Sequence, residues 1–472
     1  MPPSDPLASP PRPSLALLIC LSMSMLLSSL GTSIANVSLP ALAQAFDAAF
    51  QSVQWVVLAY LLAITTAVVS AGRLGDLIGR RRLMLAGISL FTGASVLCGA
   101  APGLWMLVAA RGAQGVGAAV LMSLAMAFAS EAAPKDRTGR AMGLLGTMSA
   151  AGTALGPTLG GALVAGPGWR AIFFINLPFG LLAFWLAWRH LPEDRRPATR
   201  QPIRFDHLGS ALMMLSLAAY AMSMTVGRGS FRLLNALLLA AAAGGAGLFA
   251  WVESRTAQPL LRPAMIRNPV LAGGLAANAL VATVMMATLV VGPFYLAGGL
   301  GLDAVRVGLA MSCGPLMAAV AGVPAGRCVD RFGARPTMLL ALGSMAGASA
   351  ALPAASDAFG VAGYATALAV ITAGYALFQA ANSTAVMAGS HGSERGAISG
   401  MLTLSRNLGL ITGASAMGAV FAAGAGTTAL DVAPPQALAA GLRAVFVTAA
   451  SLCMLAAAAG AAGGARQAPG RP

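Results

Sequence analysis

Charge is what this 472-residue chain has least of: 9% of its residues are Asp, Glu, Lys or Arg, where a water-soluble domain carries about 25%. Acid is scarcer than base, 14 residues against 29, leaving a net charge of +15. So thin a polar surface excludes an ordinary soluble globule. Histidine is nearly absent too. His190, His207 and His391 lie in or beside short polar segments, and the five cysteines (Cys20, Cys98, Cys313, Cys328, Cys453) fall on five separate segments with no CxxC pair. That pattern argues neither a metal site nor a disulfide framework, and the cysteines read as small core residues. Enzyme signatures are missing as well. There is no HExxH, no GxSxG and no pair of acids inside an apolar stretch, and no GxxxxGKS or GxxxxGKT to cradle a nucleotide. A positive balance can mark a nucleic-acid binder, but here the basic residues are scattered among short turns and form no single patch.

What the chain has in abundance is apolar length. Hydrophobic residues make up 58% of it, and the mean hydropathy is +0.79. Fourteen apolar stretches recur between residues 14 and 464, most of them reaching the roughly 20 residues that a helix needs to cross a bilayer. Lys and Arg sort strongly between alternate connections, 22 on one side and 5 on the other, with Arg111 and Arg406 inside spans. Basic connections stay cytoplasmic, so both termini are expected on the cytoplasmic side of a plasma membrane. Residues 1–13, MPPSDPLASPPRP, are Pro-rich and expected to be disordered. The apolar stretch behind them lacks a basic lead-in and a clear cleavage site, so it reads as a retained first span.

The chain also repeats itself. GRLGDLIGRR from Gly72 and GRCVDRFGAR from Gly326 share G-R-x-x-D-x-x-G-x-R at a separation of 254 residues, each behind the second span of a six-span set. A weaker echo pairs Gly143, Gly152 and Gly156 with Gly400, Gly409 and Gly413, 257 residues apart. We read two related six-span halves, 14–188 and 270–464, separated by an inserted pair of spans in 189–269 and followed by a tail at 465–472. Halves related by an axis along the membrane normal enclose a site near the midplane and work by rocking against each other.

Chemistry concentrates in a few places. In GRLGDLIGRRR (72–82), Gly72, Gly75 and Gly79 permit a tight turn, and Arg73, Arg80, Arg81 and Arg82 hold it on the cytoplasmic side. Asp76 is placed where a carboxylate could meet the positive N-terminus of a helix from the other half. Glu131, at the end of span four, is a candidate partner for one of the arginines, and Gly326, Arg327, Asp330, Gly333 and Arg335 form a companion arrangement. Within span four, ARGAQGVGAA (110–119) carries Arg111, whose isolated charge costs about 3 kcal/mol or more in lipid. It either faces the interior beside Gln114, one turn on, or snorkels to the nearby surface. In span five, GTALGPTLGG (152–161), Gly152, Gly156 and Gly160 make a smooth stripe while Pro157 bends the helix. Asn36, Gln54, Asn278, Gln379, Asn382, Arg406 and Asn407 are polar positions that either face a cavity or bond between helices, with methionines such as Met285 and Met286 offering an adaptable apolar lining.

These stretches, together with GWRAIFFINLPFG (168–180) entering span six, resemble in order and placement the motifs of the major facilitator superfamily, and within it the fourteen-span drug:proton antiporters. The likeness covers nearly the whole chain. It implies an all-α membrane protein of two six-helix bundles plus two linker helices. Such a protein exports drugs or small amphipathic metabolites against protons by alternating access, as a monomer, with the proton gradient as its energy source and no cofactor. A bacterial inner membrane is its expected place. The resemblance further implies that the 72–82 loop latches the halves on the cytoplasmic side and favours the outward-open state, that Arg111 with Gln114 serves proton transfer, and that the kinked span five accompanies export. One departure matters: where the family commonly has L-D-x-T-I-V-N-V-A-L-P, this chain reads LGTSIANVSLP, with Gly31 for the acid and Ser33 for the threonine, keeping Asn36 and Pro40. No Asp or Glu lies deep in a span, which leaves the proton-carrying residue open and weakens a claim of lipophilic-cation export. A metabolite uniporter or symporter of the same fold is the alternative, and a membrane sensor or intramembrane enzyme the rival from other classes. The spacing names no substrate.

Overall fold

A backbone surrounded by lipid must satisfy its own hydrogen bonds, and long apolar segments therefore become helices. The computed structural model, described for residues 15–132, 138–194, 207–226, 232–255, 268–388, 392–427, 429–430 and 432–465, follows that rule. A first set comprises α1 (Leu15–Val37), the short α2 (Leu39–Ala45) and α3 (Phe50–Val53), α4 (Trp55–Ile78), α5 (Arg80–Gly99), α6 (Leu104–Ala132), α7 (Thr138–Ala165), the short α8 (Ala171–Phe174) and α9 (Asn176–His190). Then α10 (His207–Thr225) and α11 (Leu233–Arg255) form an antiparallel pair. A second set comprises α12 (Pro269–Phe294), α13 (Ala304–Phe332), α14 (Ala334–Met387), α15 (Gly392–Thr412), α16 (Gly418–Ala425) and α17 (Pro435–Ala465), with π turns at Tyr295–Gly299 and Gly413–Met417.

Among the described residues, twelve stretches are long and apolar enough to cross a bilayer, against the fourteen read from the sequence. One of the twelve, Ala334–Met387, is 54 residues long and breaks at Gly360, where φ is 58°. The 28-residue α7 is not among the twelve.

The internal repeat is a repeat of structure. Gly79 (φ 102°) and Gly333 (φ 83°) both close the helix before them and start the next one, a backbone conformation that side-chain-bearing residues resist. We call the end of the molecule that holds these turns the arginine end and the opposite one the far end. In the first set α7 lies along α1, with the Gly152 backbone against Leu26 and the Ser33 hydroxyl donating to the Gly152 carbonyl at 3.2 Å. In the second set α15 lies along α12 with the same construction: Gly409 backs onto Ala279, and the Thr283 hydroxyl donates to the Gly409 carbonyl at 3.1 Å. Missing side chains let the backbones approach, and a hydroxyl then fastens the pair.

The α10–α11 pair lies beside the first set. Ser70 of α4 meets Ser210 at 2.9 Å, and Trp55 Nε1 donates to Thr225 Oγ1 at 3.1 Å. It also reaches the second set, where Tyr220 donates to Thr412 at 3.1 Å.

Candidate functional site

Arg111 is 0% exposed, so it faces the interior of the first set and does not snorkel. Its Nε donates to the Val56 carbonyl of α4 at 2.9 Å and its Nη1 to Gln114 Oε1 at 2.6 Å. Gln114 in turn donates to the Ser95 hydroxyl at 2.7 Å, and Ser95 donates to the Phe91 carbonyl at 2.8 Å, so one chain of bonds ties α4, α6 and α5. The guanidinium lies 4.2 Å over the Tyr60 ring and 6.0 Å from the Phe173 centroid. Desolvated contacts of the first kind contribute about 2 kcal/mol. Nη2 has no partner, and no ion pair reaches this arginine among the described residues. The missing acid has a place in this geometry. A Cβ on Gly31 would stand 3.2 Å from the Tyr60 hydroxyl and 3.4 Å from the Phe91 ring. The position where a carboxylate would arise is crowded by Tyr60, whose ring lies against the cation, and by Phe91.

At the arginine end, the turn at Gly79 is fastened by a residue outside the sequence motif. The first N–H groups of a helix have no partner within it, and the Asp194 carboxylate accepts from the N–H of Arg81 at 2.8 Å and of Arg82 at 3.2 Å. Arg81 also donates to the Trp188 carbonyl and stands 3.9 Å from Glu193. These partners belong to α9 and the residues just after it, within the same set. Gly72 faces Ser123 of α6, and Gly75 faces Leu124. The side chains of Arg73, Asp76 and Glu131 lie outside the described residues, as does Gly143. In the second copy, Arg327, Asp330 and Arg335 are exposed and form no ion pair among the described residues, and Gly326 meets nothing within 4 Å of a built Cβ.

The two sets meet at the far end through two equivalent crossings. Where α13 crosses α7, Gly308 presses on the Pro157 carbonyl, Gly161 lies against Ala304, and Thr158 bonds to Ser312. Where the start of α4 crosses the π turn after α15, Gln54 Nε2, just before α4, donates to the Ala414 carbonyl of that turn at 2.7 Å, and Gly418 leaves room for the amide. Gly308 stands 254 residues after Gln54 and Ala414 stands 257 after Pro157, the two offsets of the sequence repeat. Phe50 adds ring contacts to Phe294 at 4.7 Å and Phe421 at 6.0 Å. The proline of α7 has its counterpart in a π turn of α15, two solutions that both disturb the helical ladder where the halves touch. Towards the arginine end the described faces of α7 and α13 are largely exposed. Five of the six residues from Ala319 to Pro324 on α13 are exposed, and on α7 Leu144, Gly146 and Ala150 are exposed as well.

The remaining polar candidates divide. Asn36 is enclosed and donates to the Thr32 carbonyl of its own helix at 3.0 Å. Asn278 donates to Leu402 at 2.8 Å and Asn382 to Gly274 at 3.2 Å, so both tie helices of the second set. Gln379 donates to Tyr375 at 3.1 Å. Arg406 and Asn407 form no side-chain hydrogen bond or ion pair among the described residues. Met286 is enclosed and Met285 partly exposed. Gly156 and Gly160 face Ser33 and Ile34 of α1. Sequence reasoning missed Asp194, Ser95, Tyr60 and the α10 contacts, because none of them belongs to a local pattern.

Known proteins share this plan. The chain matches the family model described as Major Facilitator Superfamily over residues 21–414. It is 33% identical over 417 residues to the multidrug resistance protein Stp of Mycobacterium tuberculosis, spanning 87% of this chain and 76% of that protein. It is 31% identical over 322 residues to the drug efflux pump JefA of the same organism, spanning 66% of this chain and 62% of that one. Among solved structures it resembles a bacterial homologue of the human lysosomal transporter Spinster in an inward-facing, occupied conformation, with a TM-score of 0.70 and 17% identity over 97% of this chain and 98% of the other. Repeated halves, a glycine-lined crossing and these likenesses converge, and the chain belongs to the major facilitator superfamily of membrane transporters.

Proposed function

We propose that this transporter is an exporter of drugs or small amphipathic metabolites, driven by the proton gradient and working by alternating access. Fourteen crossings, bounded as 14–188, 189–269 and 270–464, put both termini and both arginine turns in the cytoplasm. The observation that carries the reading is the pair of equivalent crossings at one end, Gly308 on Pro157 and Gln54 on Ala414, with exposed helix faces at the other. In this topology the arrangement is sealed outside and open inside, the state in which an exporter loads. The names of the relatives Stp and JefA support efflux as the direction. We assign Arg111, Gln114 and Ser95 to the polar centre on which proton coupling depends, and the 72–82 turn to the latch that forms when the arginine ends close.

The test is purified protein in liposomes with an imposed pH gradient, assayed for movement of several hydrophobic drugs. Flux that follows the gradient and stops when the gradient is collapsed is the expected result; flux indifferent to it overturns the proton-driven reading. Asp76→Asn is expected to lower flux about tenfold with unchanged yield of folded protein, since a latch contact of about 1.4 kcal/mol corresponds to that factor.

A further inference from the structure

We infer that the cargo is an amphipathic organic anion whose carboxylate, sulfonate or phosphate is met by Arg406; this rests on the export reading in taking the space between the two sets as the route. Arg406 lies on α15, near the middle of the run from Gly392 to Ala425 that crosses between the ends. Its side chain is partly exposed, its Nε is enclosed with no partner, and it forms no ion pair among the described residues. A lone guanidinium at that depth is costly and is retained where it meets a water-filled cavity or a ligand.

Helical spacing says which way it points. Ser405, Gly409 and Gly413 meet α12, Thr412 meets α10, and Ala414 meets α4. Arg406 falls on the arc between the α12 and α4 contacts, as does Leu410 one turn on, which is apolar and partly exposed. The equivalent position in the first half, 257 residues earlier, is Ser149, a neutral hydroxyl bonded to Ser29 at 2.6 Å. One half therefore offers a satisfied neutral group where the other offers an unsatisfied cation. Asn407, 5% exposed, adds a second side chain without a hydrogen bond.

Among the described residues no anion balances this charge within the membrane. Asp303 and Asp357 lie at the far end, paired with Arg306 at 3.5 Å and Arg443 at 3.3 Å, while Glu193 and Asp194 serve the arginine turn. Glu253 is enclosed at the arginine end of α11, in the outer pair. Arg111 is sealed inside the first set and unavailable to cargo. Among the described residues the route thus carries one free positive charge. An inside-negative membrane potential also favours the exit of an anion, in addition to the proton gradient.

Fluorescein and rhodamine 123 share a tricyclic framework and carry opposite charge, so they isolate sign from shape. The full chain in lipid nanodiscs is titrated with each, reading fluorescence anisotropy. The expected result is binding of fluorescein without rhodamine 123, weakened about tenfold or more by Arg406→Gln and largely kept by Arg406→Lys. Rhodamine 123 bound as well as or better than fluorescein, no fluorescein bound by the unaltered protein, or undiminished fluorescein binding in Arg406→Gln overturns the inference. Should Arg406→Gln fail to fold, Arg406→Lys decides alone, since loss of discrimination between the dyes with the positive charge retained also overturns it. Fluorescein that binds through Arg406 yet is not moved in liposomes by a gradient leaves the anion site standing and removes the export reading.

Discussion

Arg111 lies enclosed in the first set with no acid paired to it among the described residues. What replaces the acid is a carbonyl, an amide and an aromatic face, and the amide is the piece that joins the arginine to the next helix. Gln114→Leu removes the acceptor of Nη1 and the donor to Ser95 together. Hydrogen bonds to charged groups contribute about 1.5–3 kcal/mol, so that loss is expected in thermal unfolding of the purified protein. Ser95→Ala removes one neutral bond and is expected to lose about 1 kcal/mol. Equal losses from the two substitutions would mean that the charge gains nothing from Gln114. The gap at Gly31 was legible because it is a departure inside a familiar pattern. Tyr60 was not legible, since an aromatic on α4 becomes the bed of a cation only through the register in which α4 and α6 pack, which no local spacing encodes.

Helices and their termini repeat the lesson at larger scale. The two glycine turns could be read from the sequence, because a shared string of glycines, arginines and an acid fixes both the break and its chirality. The residue that completes the first turn could not: Asp194 stands 113 positions beyond Arg81, in a segment with no motif of its own. Its carboxylate does the work of an N-cap from a distance, satisfying two free N–H groups at the positive end of α5. Asp194→Ala is expected to cost about 0.5–2 kcal/mol, the range of lost caps, and to raise amide hydrogen exchange at Arg81 and Arg82 above that of the rest of α5. Protection at those two amides equal to that of the unaltered protein would show the contact to be incidental. The α10–α11 pair was legible as an insertion, by its failure to match either half. That α10 touches both sets was hidden, since Ser210, Tyr220 and Thr225 are ordinary residues made informative only by what faces them.

For the molecule as a whole, the offsets of the repeat predict more than similarity of shape: they specify which contacts must change together. Gly308 on Pro157 and Gln54 on Ala414 are the same crossing made twice. If the sets move as rigid bodies, loosening either crossing tilts both. A Cβ at Gly308 would overlap the Pro157 carbonyl, which is backbone and has little freedom to retreat. Gly308→Val is thereby penalised by overpacking, about 1–3 kcal/mol, and only in the state whose far end is closed. A penalty confined to one of two states shifts their populations by its Boltzmann factor, about 5- to 150-fold over that range. Spin labels report it directly. One pair at Trp105 and Val432 straddles the far end, and another at Ile78 and Phe332 straddles the arginine end; all four positions are exposed. In Gly308→Val the far-end distances are expected to lengthen and the arginine-end distances to shorten in equal proportion of molecules. Gln54→Leu, which strips the partner from the Ala414 carbonyl, should move both distributions the same way by a smaller amount. A far end that opens while the arginine end stays put would mean that the halves bend rather than rock, and the second crossing would then owe nothing to the first.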